Sequence, residues 1–190
     1  MINRLCSLAA SMFLMAPLQG CFPVVAAGVG TGVMMAQDRR SSEAFVQDQR
    51  IETGVSGLIA DEFKGVMHIN VTSFNLNVLL TGEVPEEYTR AEIGKLVARF
   101  DKVRSVNNEL AISSNSSLVT RSNDSLITSN VKLRFLNNHY FNAEHVKVVT
   151  ENGTVFLLGI VNHSEANASA EIASTTSGVT SVVKLFEYLD

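Results

Sequence analysis

The chain has 190 residues, of which 46% are hydrophobic and 18% charged, an ordinary globular composition that suits one or two small domains. The formal net charge is −4. No basic stripe is present to neutralise phosphates, which argues against nucleic acid as the main partner.

The first residues predict an export signal. Arg4 gives a short basic region, Leu5 to Ala16 is an apolar run of signal-peptide length, and Leu18-Gln19-Gly20-Cys21 follows directly. These residues resemble a bacterial lipobox. The resemblance implies cleavage before Cys21, with diacylglycerol on its thiol, an acyl chain on its amine and no other cofactor. Because Cys6 leaves with the signal, neither a disulfide nor thiol catalysis remains.

Residues 1–20 are therefore predicted to be a lipoprotein signal peptide, and residues 21–45 a lipidated cysteine with an apolar tether. By the same resemblance, Phe22 in place of aspartate points to the outer membrane, facing the periplasm. The alternative is a transmembrane anchor, because Arg4 and Asp38 bracket a stretch without charge. Pro17, Pro23 and three nearby glycines interrupt a spanning helix there.

A first domain is predicted over residues 46–113. Its opening helix starts near Asp48 and carries Ile51, Val55, Leu58 and Ile59 on one face. A hairpin at Ile69–Val84, a helix beginning after Pro85 and a short strand at Val106–Ile112 follow.

Residues 114–122 are polar and predict a linker. Its length leaves open whether the two domains pack together or move independently. A second domain is predicted over residues 123–190. Asn123, Asp124 or Ser125 would cap its first helix. A hairpin at Val146–Val161, a helix near Ser164–Thr176 and a closing strand at Val182–Leu189 complete it.

The two hairpins are copies of one another at an offset of 77 residues, so that Val71 matches Val148 and Gly82 matches Gly159. Each unit thus follows the order α-β-β-α-β, an α+β fold. Asn152-Gly153 predicts a type I′ turn. The matching Asn75-Leu76 predicts a longer or different turn, because leucine tolerates positive φ poorly. Gly82 and Gly159 predict backbone bends that a side chain would obstruct.

The first helix of domain two carries an apolar pair on its predicted solvent face. Ile127, Val131 and Phe135 form the inward face, while Leu126 and Leu133 point the other way, with Lys132 and Arg134 nearby. With a membrane anchor upstream, this pattern indicates docking on phospholipid through the two leucines and the two cations. The alternative is that the two leucines pack against domain one or the tether.

Residues for catalysis or metal binding do not form a recognisable motif. The four histidines show no spacing typical of a zinc site. We therefore predict no catalytic residues, no metal and no enzymatic activity. An envelope hydrolase is a third alternative, without a constellation of residues behind it.

Several of these features resemble the BON domain of bacteria. They are the hairpins ending in L-x-G-x-V at Leu80–Val84 and Leu157–Val161, the alanine-rich helix near residues 166–173, and G-V-x-x-V at Gly178–Val182. In domain one Lys102 stands in place of that glycine. From lipobox to C-terminus the chain resembles the dual-BON outer-membrane lipoprotein family called DolP or YraP. This implies two tandem domains, each with two helices packed on a three-stranded mixed sheet.

The resemblance also implies a non-enzymatic, lipid-anchored periplasmic protein that binds anionic phospholipid through its second domain. Such proteins support envelope integrity and are associated with the division site. Relatives often carry an aromatic residue where this chain has Leu126, and tryptophan is absent here, which suggests weaker lipid affinity. A second interpretation is a protein-interaction adaptor or chaperone-like factor, with outer-membrane assembly or peptidoglycan-remodelling proteins as partners.

Overall fold

The computed structural model describes residues 38–63 and 67–190, and residues 35–190 form one compact unit. Predictions for the signal peptide, Cys21 and most of the tether lie outside the described residues. The elements of domain one are α1 (Ser42–Glu62), β1 (His68–Phe74), β2 (Asn77–Val84), α2 (Glu87–Ala98), β3 (Ser105–Asn108) and β4 (Ala111–Ile112). Those of domain two are α3 (Leu118–Leu136), a 3₁₀ turn (Ala143–His145), β5 (Val146–Glu151), β6 (Thr154–Val161), α4 (His163–Ser174) and β7 (Ser181–Tyr188).

Each domain contains one mixed sheet built in the same way. β1 pairs antiparallel with β2, and β5 with β6, through hairpins in which Val71 faces Leu80 and Val148 faces Leu157. The last strand returns parallel to the second: β7 beside β6, and β3 then β4 beside β2. The repeated α-β-β-α-β order and the mixed sheets confirm the predicted α+β fold. The sheet of domain two has the three predicted strands, whereas that of domain one has four, because the returning segment is divided into β3 and β4.

Both first helices begin earlier than predicted. Ser41 caps α1 by accepting a hydrogen bond from the Ala44 N–H, and Ser117 caps α3 by accepting one from Thr120. Residues 118–122, predicted as part of the linker, therefore belong to α3, and Asn123, Asp124 and Ser125 lie inside α3 rather than at its cap. A capping serine provides the acceptor that the first turn needs, so a polar stretch can start a helix.

The two hairpin turns have the same form, which corrects the prediction for Asn75-Leu76. Asn75 and Leu76 have φ of 50° and 68°, and Asn152 and Gly153 have 47° and 74°. The Asp48 carboxylate accepts hydrogen bonds from the Asn75 and Leu76 N–H groups, both at 2.8 Å. Fixed by this buried acceptor, Leu76 adopts the left-handed conformation that it disfavours in isolation.

Asp124 has the same role in domain two. Its carboxylate accepts from the Asn152 N–H at 2.9 Å and from the Gly153 N–H at 2.8 Å. Both aspartates are buried. The inward face of each first helix thus includes a carboxylate that holds the hairpin turn.

The glycine predictions at the ends of β2 and β6 are confirmed. Gly82 has a φ of +116°, and a Cβ added there would lie 1.9 Å from the His68 carbonyl oxygen. At Gly159 an added Cβ would lie 2.4 Å from the His145 carbonyl oxygen. The backbone at the start of each hairpin, at His68 in β1 and at His145 just before β5, approaches so closely that only glycine fits.

The apolar core has three parts. One lies between helices and sheet in domain one and includes Ile51, Val55 and Leu80; the second occupies the same place in domain two and includes Ile127, Val131 and Leu157. The third joins the other faces of the two sheets, through Phe74, Leu79, Phe156 and Leu158. The molecule is thus layered helix, sheet, sheet, helix, and the two domains pack against each other.

Polar contacts surround this third core. Lys147 pairs with Glu52 at 2.8 Å, and Asn75 and Asn77 both donate to Glu187, at 2.9 and 2.7 Å. Arg104 also pairs with Glu187. Charged and amide groups at the rim of an apolar contact fix its register.

Candidate functional site

The solvent side of α3 carries an apolar stripe. Leu126 is 64% exposed and Leu133 56% exposed. Three more large apolar residues of α3 are exposed, Leu118, Val119 and Leu136. At 100° per residue these five positions fall within an arc of about 100°, opposite Ile127, Val131 and Phe135. We call the five exposed residues the α3 outer face.

The exposure of Leu126 and Leu133 bears on the alternative in which these leucines pack against domain one or the tether. Within the described ranges, neither leucine is covered by domain one. The structure describes the tether only from residue 38 onward. Packing of the two leucines against the rest of the tether therefore stays an alternative. Tyr140, 78% exposed, follows the end of α3 and adds a further aromatic surface.

Sequence reasoning missed Leu118, Val119 and Leu136. The first two fall in the predicted linker, so they were not placed on a helix. Extending the 3.6-residue period backward from Leu126 brings both onto the same side of a helix, which is the signal that identifies them. The capping serine at position 117 is the matching start signal.

The two predicted cations differ in their surroundings. Lys132 is exposed beside the α3 outer face. Arg134 instead reaches the end of α4, where it donates to the Ile172 carbonyl at 2.6 Å and to the Thr176 and Thr175 hydroxyls at 2.7 and 3.0 Å. A cation there offsets the negative end of the α4 dipole, so Arg134 has a structural role in addition to its charge.

The described helices include none that is both long and apolar enough to cross a bilayer. α3 carries Arg121, Lys132 and Arg134 against Asp124, a net of +2 on an otherwise apolar and hydroxyl-rich helix. An apolar strip with a net positive helix is suited to lying along an anionic surface.

A second group of residues lies apart from this helix. His68, Glu83 and Glu151 bring one nitrogen and two carboxylate oxygens to within 4.8 Å of one another. The sequence search missed this group because its members come from three different strands. A search for zinc-type spacing along the chain finds only ligands that lie close in sequence.

Comparisons with known proteins agree with the duplication. The BON domain matches residues 47–114 and again residues 123–190. "Outer membrane lipoprotein DolP" of Haemophilus influenzae is 37% identical over 175 residues, covering 91% of each chain. The "21 kDa hemolysin" of Actinobacillus pleuropneumoniae is 34% identical over 154 residues, covering 80% of this chain and 79% of its own.

"Osmotically-inducible protein Y" of Escherichia coli is 28% identical over 148 residues, covering 73% of this chain and 71% of its own. The two matches to the BON domain take in most of the described residues, and the first relative is aligned over nearly its whole length. The chain therefore belongs to the BON-domain family, as a dual-BON outer-membrane lipoprotein similar to DolP.

Proposed function

We propose that the protein binds anionic phospholipid through the α3 outer face while a lipidated Cys21 holds it at the membrane. The single observation that carries the proposal is the exposure of five large apolar side chains on one side of α3, beside Lys132. Lys132 and Arg134 supply positive charge, as predicted, although Arg134 also binds the end of α4.

The size of the face sets the expected affinity. Full burial of a leucine or valine contributes about 1.5–3 kcal/mol, so covering five partly exposed side chains contributes on the order of 5 kcal/mol. Taken alone this corresponds to a dissociation constant of about 10⁻⁴ M. Such a face binds weakly by itself, and an acylated Cys21 would raise its effective concentration at the bilayer.

The proposal includes no chemical turnover. The protein is proposed to act by binding, with acyl chains on Cys21, and to support envelope integrity from the inner surface of the outer membrane. A concentration of the protein at the division site is part of the same proposal, and imaging of a fluorescent fusion would test it.

The test uses a chain lacking residues 1–21, which keeps the whole compact unit of residues 35–190. The wild-type chain should sediment with vesicles of phosphatidylglycerol. Leu126→Glu/Leu133→Glu should abolish this binding and leave the melting temperature within a few degrees, because both side chains are exposed. Raised salt should weaken the binding of the wild-type chain.

A matched control separates the apolar contact from the two added negative charges. Tyr88→Glu/Ile112→Glu introduces the same charges at two other exposed apolar positions, both in domain one. This variant should bind vesicles as the wild-type chain does. Wild-type binding in the α3 variant would refute the proposal. An absence of vesicle binding, together with crosslinks from α3 to a protein, would favour the adaptor interpretation.

A further inference from the structure

The contact between the two domains contains a group of polar side chains that the proposed lipid site does not use. Glu83 at the end of β2 is 1% exposed, and Glu151 at the end of β5 is 7% exposed. His68 of β1 lies between them, with its Nδ1 3.1 Å from Glu83 Oε2 and 3.7 Å from Glu151 Oε1. One imidazole thus bridges two buried carboxylates from different domains.

The charges of this group are incompletely balanced. Within residues 38–63 and 67–190, His68 is the only basic side chain that lies against either carboxylate. The remaining hydrogen bonds come from neutral donors, Asn152 and Ser116 to Glu83 and Asn70 to Glu151. Burial acts to raise the pKa of Glu83, but the bonds from Asn152, Ser116 and His68 outweigh it and lower the pKa. A buried pair of carboxylates with neutral donors calls for a cation.

Two of the three ligand separations suit a metal centre. Zinc binds histidine nitrogen and carboxylate oxygen at about 2.0–2.2 Å, which places tetrahedral ligands roughly 3.3 Å apart. The two separations from His68 Nδ1, 3.1 and 3.7 Å, lie on either side of that value. All three ligand atoms lie within 4.8 Å of one another, so small side-chain rotations would close the site.

A cavity of about 230 Å³ adjoins the group and gives room for a fourth ligand. Its walls include His68, Asn70, Thr150 and Glu151. Arg121 also lines it, but its guanidinium donates to the Ser116 hydroxyl and carbonyl, both at 3.1 Å. A water molecule in this polar cavity would complete a site with one histidine and two carboxylates.

We propose that His68, Glu83 and Glu151 bind a divalent transition-metal ion, with Zn²⁺ as the reference ion, and that the ion clamps the two BON domains together. Glu83 belongs to domain one and Glu151 to domain two, so one ion ties the two sheets at the rim of their shared core. Two carboxylates and one divalent ion give a neutral centre. The site is separate from the α3 outer face and does not depend on the lipid proposal.

Binding changes the protonation pattern of His68. In the metal-free group, Asn70 Nδ2 lies 3.2 Å from His68 Nε2, so Nε2 accepts and Nδ1 carries the proton that faces Glu83. Coordination through Nδ1 moves that proton to Nε2, and the Asn70 amide turns so that its oxygen accepts it. This turn ends the bond from Asn70 Nδ2 to Glu151 Oε2, whose place the metal ion takes. The proton stays on the imidazole in this step, so the step is balanced.

The experiment titrates ZnCl₂ into the chain lacking residues 1–21 by calorimetry. This chain contains no cysteine, so thiols cannot bind the ion. We expect one Zn²⁺ per chain and at least a tenfold weaker affinity in Glu151→Gln, which keeps the shape of the side chain and removes its charge. The control is His163→Ala, which removes an exposed histidine paired with Asp190 and should bind Zn²⁺ as the wild-type chain does.

A second readout needs no variant. Nitrogen-15 NMR of the wild-type chain should show the His68 proton moving from Nδ1 to Nε2 when Zn²⁺ is added, with His163 unchanged. Absence of Zn²⁺ binding at 100-fold excess, wild-type affinity in a folded Glu151→Gln chain, or an unchanged His68 spectrum would each overturn the proposal. In those cases the group is a proton-bridged contact only.

Discussion

The first helices of the two domains agree on their inner sides and differ on their outer sides. Ile51, Val55 and Ile59 of α1 occupy the places of Ile127, Val131 and Phe135 in α3, at an offset of 76 residues, and all six are buried. At the same offset, the five apolar positions of the α3 outer face correspond in α1 to Ser42, Glu43, Arg50, Gly57 and Ala60.

The net charges of α1 and α3 differ as well. α1 carries five acidic residues and one basic residue, a net of −4, whereas α3 carries one acidic and three basic residues, a net of +2. Because the outer side of α1 carries polar and small residues, with Val46 as its exposed apolar side chain, the fold does not require an apolar stripe there. The comparison therefore supports the proposed binding role of the α3 outer face over a purely structural one.

The largest expected effect concerns the buried aspartate that each of the two helices carries. Asp48→Ala should cost about 3–5 kcal/mol of unfolding free energy. Besides the two turn N–H groups, Asp48 accepts from the Ser73 hydroxyl and pairs with Arg40, and the variant leaves the Arg40 guanidinium without this carboxylate. Asp124→Ala should cost less, about 2–3 kcal/mol, since among the described residues Asp124 accepts from the two turn N–H groups alone. Urea denaturation measures both.

The control for these two variants is Asp101→Ala, an exposed aspartate in the turn after α2, which should change stability by less than about 0.5 kcal/mol. If the Asp48 and Asp124 variants were as stable as this control, the hairpin turns would not depend on the buried carboxylates. The correspondence between the two domains would then be one of shape alone.

These aspartates show where sequence reasoning reaches its limit. The inward positions of both helices, the hairpins and the mixed sheets followed from periodicity and from the repeat, because local patterns determine them. The left-handed conformation of Leu76 did not follow, because a side chain 28 residues earlier in the chain imposes it. The first helices did contain a hint, since Asp48 and Asp124 lie at matching positions at their offset of 76 residues.

The candidate sites also contain some residues that a local pattern identifies and others that depend on distant parts of the chain. Leu126 and Leu133 could be read from a helical period, whereas Leu118 and Val119 were hidden by polar neighbours that suggested a linker. Packing of the sheets through Leu79, Phe156 and Leu158 could not be predicted from either domain alone, because each partner lies in the other copy. The grouping of His68, Glu83 and Glu151 depends on that packing.

A graft tests whether apolar side chains alone make the difference between the outer sides. Arg50→Leu/Gly57→Leu places leucines on α1 at the positions equivalent to Leu126 and Leu133. A side chain at position 57 meets open space. Introduced into the Leu126→Glu/Leu133→Glu chain, the graft should leave binding to phosphatidylglycerol vesicles at least tenfold weaker than in the wild-type chain, because α1 is net negative.

Vesicle sedimentation at low and high salt measures the graft, and circular dichroism checks that the chain is folded. Vesicles of zwitterionic phosphatidylcholine are the control, because they remove the charge contribution. Full recovery of binding to anionic vesicles would mean that the apolar stripe suffices, and that the opposite charges of the two helices have no part in membrane recognition.

The smallest expected effect concerns the second helix of each domain, where only domain two has a capping box. Asn162 and Glu165 cap α4 reciprocally, and the Glu165 carboxylate also accepts from both Arg39 nitrogens, at 2.6 and 2.9 Å. His145 lies 3.5 Å from the same carboxylate. The equivalent cap of α2, Glu86, makes no side-chain cap bond.

The bond from Arg39 is the main cause that lowers the pKa of Glu165, and it outweighs the opposing effect of burial. Since the folded pKa lies below the unfolded value of about 4.3, the stabilisation is present above that pH and is lost as the pH falls through the folded pKa. Glu165→Gln should therefore cost about 1 kcal/mol at pH 7 and progressively less in acid.

Urea denaturation of the wild-type and Glu165→Gln chains from pH 7 to pH 3 measures this difference, with Glu86→Gln as the control that should stay parallel to the wild-type chain. A Glu165→Gln curve that also ran parallel would show that the contact between the N-terminal segment and domain two does not depend on the carboxylate charge.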